Sequence, residues 1–194
     1  MKVGLGLYSR LLTAENLRFA RQIGATHIVA HLPDWTSSGV RGVPPVYPSP
    51  LWSYEELRDL KAMVNAEGLE LEAIENFEPA HWHDILLDGP RQAEQMEGLK
   101  TIIRKMGKAG IPIMGYNFSI AGVWGRTRGN WARGGARSVG YVEAEAPEQT
   151  PIPNGMVWNT VYDPNALPGT IGTVTPEQLW SRLEYFLKEL VPVA

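Results

Sequence analysis

Residues 111–131 read IPIMGYNFSIAGVWGRTRGNW. An apolar run turns polar at Tyr116–Asn117, then breaks into a glycine-rich segment carrying Trp124, Arg126 and Arg128. A buried strand that ends in an amide and opens into a long loop with aromatic and guanidinium groups is how an α/β enzyme presents a site. The rest of the chain reads as the scaffold for that strand.

Upstream, a strand-then-helix unit recurs. Lys2–Tyr8 (KVGLGLY) places Val3, Leu5 and Leu7 on one side, with glycines opposite where another backbone or a ligand can come close. Thr13 caps a helix with Leu17, Ala20 and Ile23 at helical spacing, stopped by Gly24. Thr26–Ala30 is the second strand, ending at His31, and a Pro-rich excursion follows over 32–52. Ser53 and Glu56 form a capping-box pattern, opening a helix with Leu57, Leu60 and Val64 on one stripe and Gly68 at its end. Leu69–Glu75 is the third strand. Asp88-Gly89-Pro90 starts a third helix whose buried stripe is Met96, Leu99, Ile103 and Met106, closed by Gly110. Ile111–Tyr116 is strand four. Thr175-Pro176-Glu177-Gln178 opens a last helix with Leu179, Leu183, Phe186, Leu187 and Leu190 on one face.

Four β-α units in alternation predict an α/β fold with a parallel sheet and right-handed crossovers. No Gly-x-Gly-x-x-Gly follows strand one, which disfavours a dinucleotide-binding sheet. A complete (β/α) TIM barrel takes about 250 residues, so four units in 194 residues amount to about half a barrel with long loops. Residues 1–194 then form a single domain, with 129–174 as a long loop insertion that is a lid, a subunit contact or partly disordered. Val157–Val161 within it reads as a short strand or hairpin arm. Half a barrel leaves the edges of strands one and four unpaired. The expectation is that a second copy covers them, giving a homodimer, or that the chain is incomplete.

Composition narrows the class. A net charge of −3 gives no reason to expect nucleic acid or an anionic membrane as partner. Cysteine is missing, which excludes disulfides and thiolate–metal sites. The N-terminus runs straight into a strand, and no apolar run spans a bilayer, so a cytoplasmic protein is the default.

Barrel enzymes place reactive groups at the C-terminal ends of strands. Here those ends are Tyr8, His31, Glu75–Asn76 and Tyr116–Asn117. Tyr8 is a substrate contact or a core-edge aromatic with a wet hydroxyl. His31 is a ligand-binding group or the close of a turn before Leu32-Pro33. Strand alternation lets only one of Glu75 and Asn76 face the axis, and Glu75 is the preferred acid/base or binding candidate. Asn117 ends an apolar strand, where a substrate hydroxyl would satisfy its amide. Arg126 suits recognition of a carboxylate through paired hydrogen bonds, with Trp124 beside it, whereas Arg128 and Arg133 read as solvated charges. His81-Trp82-His83-Asp84 is a weak metal pattern, so His81 and His83 are possible hydrogen-bonding groups rather than a ligand set.

The blocks LKAMVNAEGLELEAIEN (60–76), PAHWHDI (79–85), LKTIIRKMGKAGI (99–111) and GYNFSIAGVWGRTR (115–128) resemble the N-terminal half of mannonate dehydratases, metal-dependent lyases with a xylose-isomerase-like barrel. The family's Tyr-Asn-Phe strand end and Trp-x-Arg-Thr loop correspond to Tyr116-Asn117-Phe118 and Trp124-Gly125-Arg126-Thr127. The loops 31–52 and 129–174 match poorly, and His81 and His83 fit the family's Pro-x-His segment only with a one-residue offset. The resemblance implies a sugar-acid substrate and Mn²⁺ or another divalent metal whose His, Cys and Asp ligands lie outside this chain. It implies metal-assisted loss of water from an aldonate. The alternatives are a sugar isomerase or epimerase on the same barrel, and a non-catalytic half-barrel that binds a ligand.

Overall fold

The computed structural model describes residues 1–33, 51–122, 126–146 and 151–194. The strands β1 (Gly4–Tyr8), β2 (His27–His31), β3 (Glu70–Glu75) and β4 (Ile113–Gly115) form one sheet, and each pairs in parallel with the next in chain order. Between them run α1 (Ala14–Gln22), α2 (Tyr54–Ala66), and the pair α3 (Pro79–Leu87) and α4 (Gln92–Ala109); α5 (Pro176–Leu190) comes last. Strands laid side by side in sequence order do not reverse direction of travel, as a doubly wound sheet must. This is the α/β arrangement of half a (β/α) barrel.

Alternation along the strands separates two faces. Leu7, Ile28, Ala30, Leu71 and Ile74 are buried in the core with Leu17, Leu57, Val64, Leu99 and Ile102 from the helices. The opposite face carries Gly6, Tyr8, Val29, His31, Glu75 and Gly115. Its placement of Glu75 depends on a bulge in β3. Ile28 pairs with Leu71 but Val29 pairs with Ala73, so Glu72 is an extra residue in the ladder. Leu71 and Ile74 thereby both reach the helical side, and Glu75 falls beside His31. In strict alternation, Glu75 would share the face of Leu71. Glu72 itself pairs with Lys2 and His27 at the far end of the sheet.

Capping explains where the helices begin. Thr13 accepts the Asn16 N–H, while Ser53 with Glu56 and Thr175 with Gln178 complete reciprocal capping boxes. Several expected boundaries move. The helix expected from Asp88-Gly89-Pro90 starts at Gln92, and Ile102 is more deeply buried than Ile103. Ile23 lies past the end of α1 and is exposed. Strand four shortens to three residues. No sequence pattern predicts helix α3, because seven of its nine residues are buried and a helix covered on most sides shows no apolar stripe. Among the described residues of 126–174 are two hairpins, β5 (Arg126–Gly129) with β6 (Ser138–Tyr141) and β7 (Met156–Val157) with β8 (Thr160–Val161). Among the described residues, no helix is long and apolar enough to cross a membrane.

Candidate active site

Three strand ends converge on the open face. The Nε2 of His31 lies 2.9 Å from Glu75 Oε2, and the Tyr8 ring stands 4.8 Å from the imidazole, tilted by 41°. Glycines lie beside both groups. A Cβ on Gly6 would come within 3.5 Å of His31 Nε2, and one on Gly115 within 3.5 Å of Glu75 Cγ. Asn76 takes the left-handed conformation (φ 68°), is buried, and donates its N–H to Gly115 O at 2.8 Å. The chain thus turns away directly after Glu75, leaving the carboxylate on the open side. Arg10, 5.7 Å above the Tyr8 ring, adds a positive charge at this rim. It follows the end of β1 by two residues, and no sequence pattern marks it.

Asn117 follows β4, the strand next to Glu75. Its neighbours Tyr116 and Phe118 both pack on Phe186 of α5, at 5.0 and 5.3 Å between ring centroids. A second support comes from β7–β8. Trp158 and Asn159 occupy the left-handed region, as a tight two-residue hairpin turn requires. The Trp158 N–H bonds to Ile120 O at 2.6 Å, and Val157 is buried. The hairpin therefore braces the segment that leaves β4.

The other candidates stand apart from this cluster. Arg126 opens β5 opposite Tyr141 and is exposed, and among the described residues the hydrogen bonds of 126–146 stay within that arm. Trp124 lies outside the described residues. His81 and His83 sit in α3, both buried. His81 meets the Trp52 ring edge-on at 5.7 Å. The His83 ring stacks on Tyr162 at 3.8 Å and 10°, with its Nδ1 3.1 Å from Pro79 O and 3.2 Å from the Gln95 amide nitrogen.

Burial holds His83 below the ordinary histidine range; Asp84, the Pro79 carbonyl and Asp163 oppose this, and Arg91 adds to it. A group whose folded pKa is depressed takes its proton first in the unfolded chain. Stability conferred by the neutral ring is complete above about pH 6.5 and is lost as pH falls from there toward the folded value. The urea midpoint is expected to decline between pH 7 and pH 5, with a smaller slope in His83→Gln. An unchanged slope would show that this ring titrates alike in both states.

The divalent ion implied by the resemblance needs at least three protein ligands in most sites. His31 and Glu75 supply two, and among the described residues no group of three His, Cys, Asp or Glu side chains comes together to hold an ion. The described residues alone do not fit the metal.

The D-mannonate dehydratase (UxuA) family profile matches residues 13–194. A mannonate dehydratase of Streptococcus equi subsp. zooepidemicus is 33% identical over 168 residues, covering 80% of this chain and 46% of that protein. Mannonate dehydratase 2 of Halalkalibacterium halodurans is 28% identical over 186 residues, covering 92% and 50%. The crystal structure of mannonate dehydratase from Streptococcus suis serotype 2 matches 100% of this chain and 50% of that one, with TM-score 0.65 and 26% identity. The chain spans about half the length of the curated relatives it matches. With a profile match that runs from the first helix to the last residue, the chain belongs to the D-mannonate dehydratase family.

Proposed function

We propose that this chain carries the substrate side of a mannonate dehydratase-type lyase, a carbon–oxygen lyase that removes water from an aldonate. The observation that carries the reading is the convergence of Tyr8, His31 and Glu75 at the C-terminal ends of three adjacent parallel strands, within a chain of this family. In such a reaction the proton on the carbon next to the carboxylate leaves as a base takes it, and the hydroxyl on the following carbon departs as water. A divalent ion such as Mn²⁺ would stabilise the negative charge that develops, with its ligands outside this chain.

Within the chain, Arg126, on the β5 arm, is the group suited to the anionic end of the substrate. Asn117 and His31 bind hydroxyls, and Tyr8 and Glu75 line the floor. We place the protein in sugar-acid metabolism in the cytoplasm, with a closed barrel and a homodimer as its working form. The test is formation of a 2-keto-3-deoxy acid from D-mannonate with Mn²⁺, by the chain alone and mixed with the other half of the Streptococcus suis relative. Turnover is expected in the mixture. Exchange of the C2 proton in D₂O without loss of water would instead assign an isomerase or epimerase, and ligand binding without either reaction a non-catalytic half-barrel.

A further inference from the structure

We propose that Glu75, positioned by His31, reads the polyol end of the substrate and makes the site select aldonates over aldarates, the sugar acids with a carboxylate at each end; this rests on the aldonate reading above. Glu75 Oε2 lies 2.9 Å from His31 Nε2. The His31 Nδ1 is buried with no hydrogen-bond partner. A proton there would be a buried donor with nothing to bond, which places the ring's proton on Nε2, toward Glu75. One carboxylate oxygen is thereby engaged. The other is open to solvent, since the Glu75 side chain is 45% exposed against 16% for His31.

An acceptor-only carboxylate at a rim takes hydroxyl donors and repels a second carboxylate. Adjacent hydroxyls of an open-chain sugar acid supply the donors. The substrate's own carboxylate must then lie away from β1–β3, on the side of Asn117 and β4. An aldarate would bring its second carboxylate against Glu75. Arg10, a further charge at this rim, sits over the Tyr8 ring.

The experiment follows the four imidazoles by NMR in the full chain, with His31 assigned by its loss in His31→Gln. D-Mannonate and D-mannarate are the probes. Mannonate is expected to shift His31, with mannarate about tenfold weaker or worse, and Glu75→Gln is expected to weaken mannonate about tenfold and narrow the gap. Glu75→Asp, which keeps the charge, is expected to weaken mannonate yet still reject mannarate; circular dichroism confirms that both variants fold. Equal affinities in the wild type, or no change in Glu75→Gln, overturn the proposal and leave the aldonate reading standing. No imidazole shift with either probe removes the aldonate reading, and this inference with it.

Discussion

Phe186→Ala is expected to lower the free energy of unfolding by about 3–5 kcal/mol, the usual cost of truncating a buried aromatic. Phe186 is 1% exposed and packs against three other rings. It touches Trp82 of α3 at 5.7 Å, Tyr116 at 5.0 Å and Phe118 at 5.3 Å, and Trp82 also meets Phe118 at 5.8 Å. One side chain thus ties the last helix to α3 and to both neighbours of Asn117. The truncation leaves a cavity whose walls belong to three elements and cannot collapse together. Denaturant melts measure the loss, and the amide resonance of Asn117 should broaden or move. A loss below about 1 kcal/mol would show that the cluster repacks around the gap.

Gly89→Ala is the second large effect, expected at about 3 kcal/mol from overpacking and a displaced buried carboxylate. A Cβ at this position would stand 2.1 Å from Asp84 Oδ1 and 2.4 Å from Cγ. Asp84 is buried and has little room to yield. Its Oδ2 accepts the Arg91 N–H at 2.9 Å, its N–H donates to Gln95 Oε1 at 2.8 Å, and its carbonyl accepts from Gly89. Moving the carboxylate breaks the turn that joins α3 to α4. Gly107, inside α4, is the matched control, because a Cβ added there would meet nothing within 4 Å. Gly107→Ala is expected to stabilise by up to about 1 kcal/mol. Similar melting curves for both variants would refute the steric account.

Local chemistry makes much of this fold legible. Ser53 with Glu56 and Thr175 with Gln178 mark helix starts because the same atoms that define the pattern make the bonds. The four strands announce themselves as apolar runs, each ending in a polar side chain. What the residues do not convey is anything set by packing from elsewhere. Helix α3 has no stripe because it is covered on most sides, so its histidines read as hydrogen-bonding groups with no helix beneath them. In a helix, residues two apart point about 200° from each other; His81 faces Trp52 while His83 faces Tyr162. The β5–β6 hairpin escapes for a related reason, its strands being four residues long and too short for periodicity, whereas Val157–Val161 reads as a hairpin arm and is part of β7–β8. Within the site, His31 and Glu75 are legible as strand ends, but their contact is not, since it depends on how β3 is counted against β2.

That count has an evolutionary side. Glu72 is absorbed by the bulge, so the strand carries one surplus residue without changing which acid reaches the rim. A descendant without Glu72 would run Leu71, Ala73, Ile74 and Glu75 in plain alternation against β2, with Ile74 still in the core and Glu75 still facing the opening. Relatives whose third strand differs in length by this one residue can therefore share the same acid at the opening.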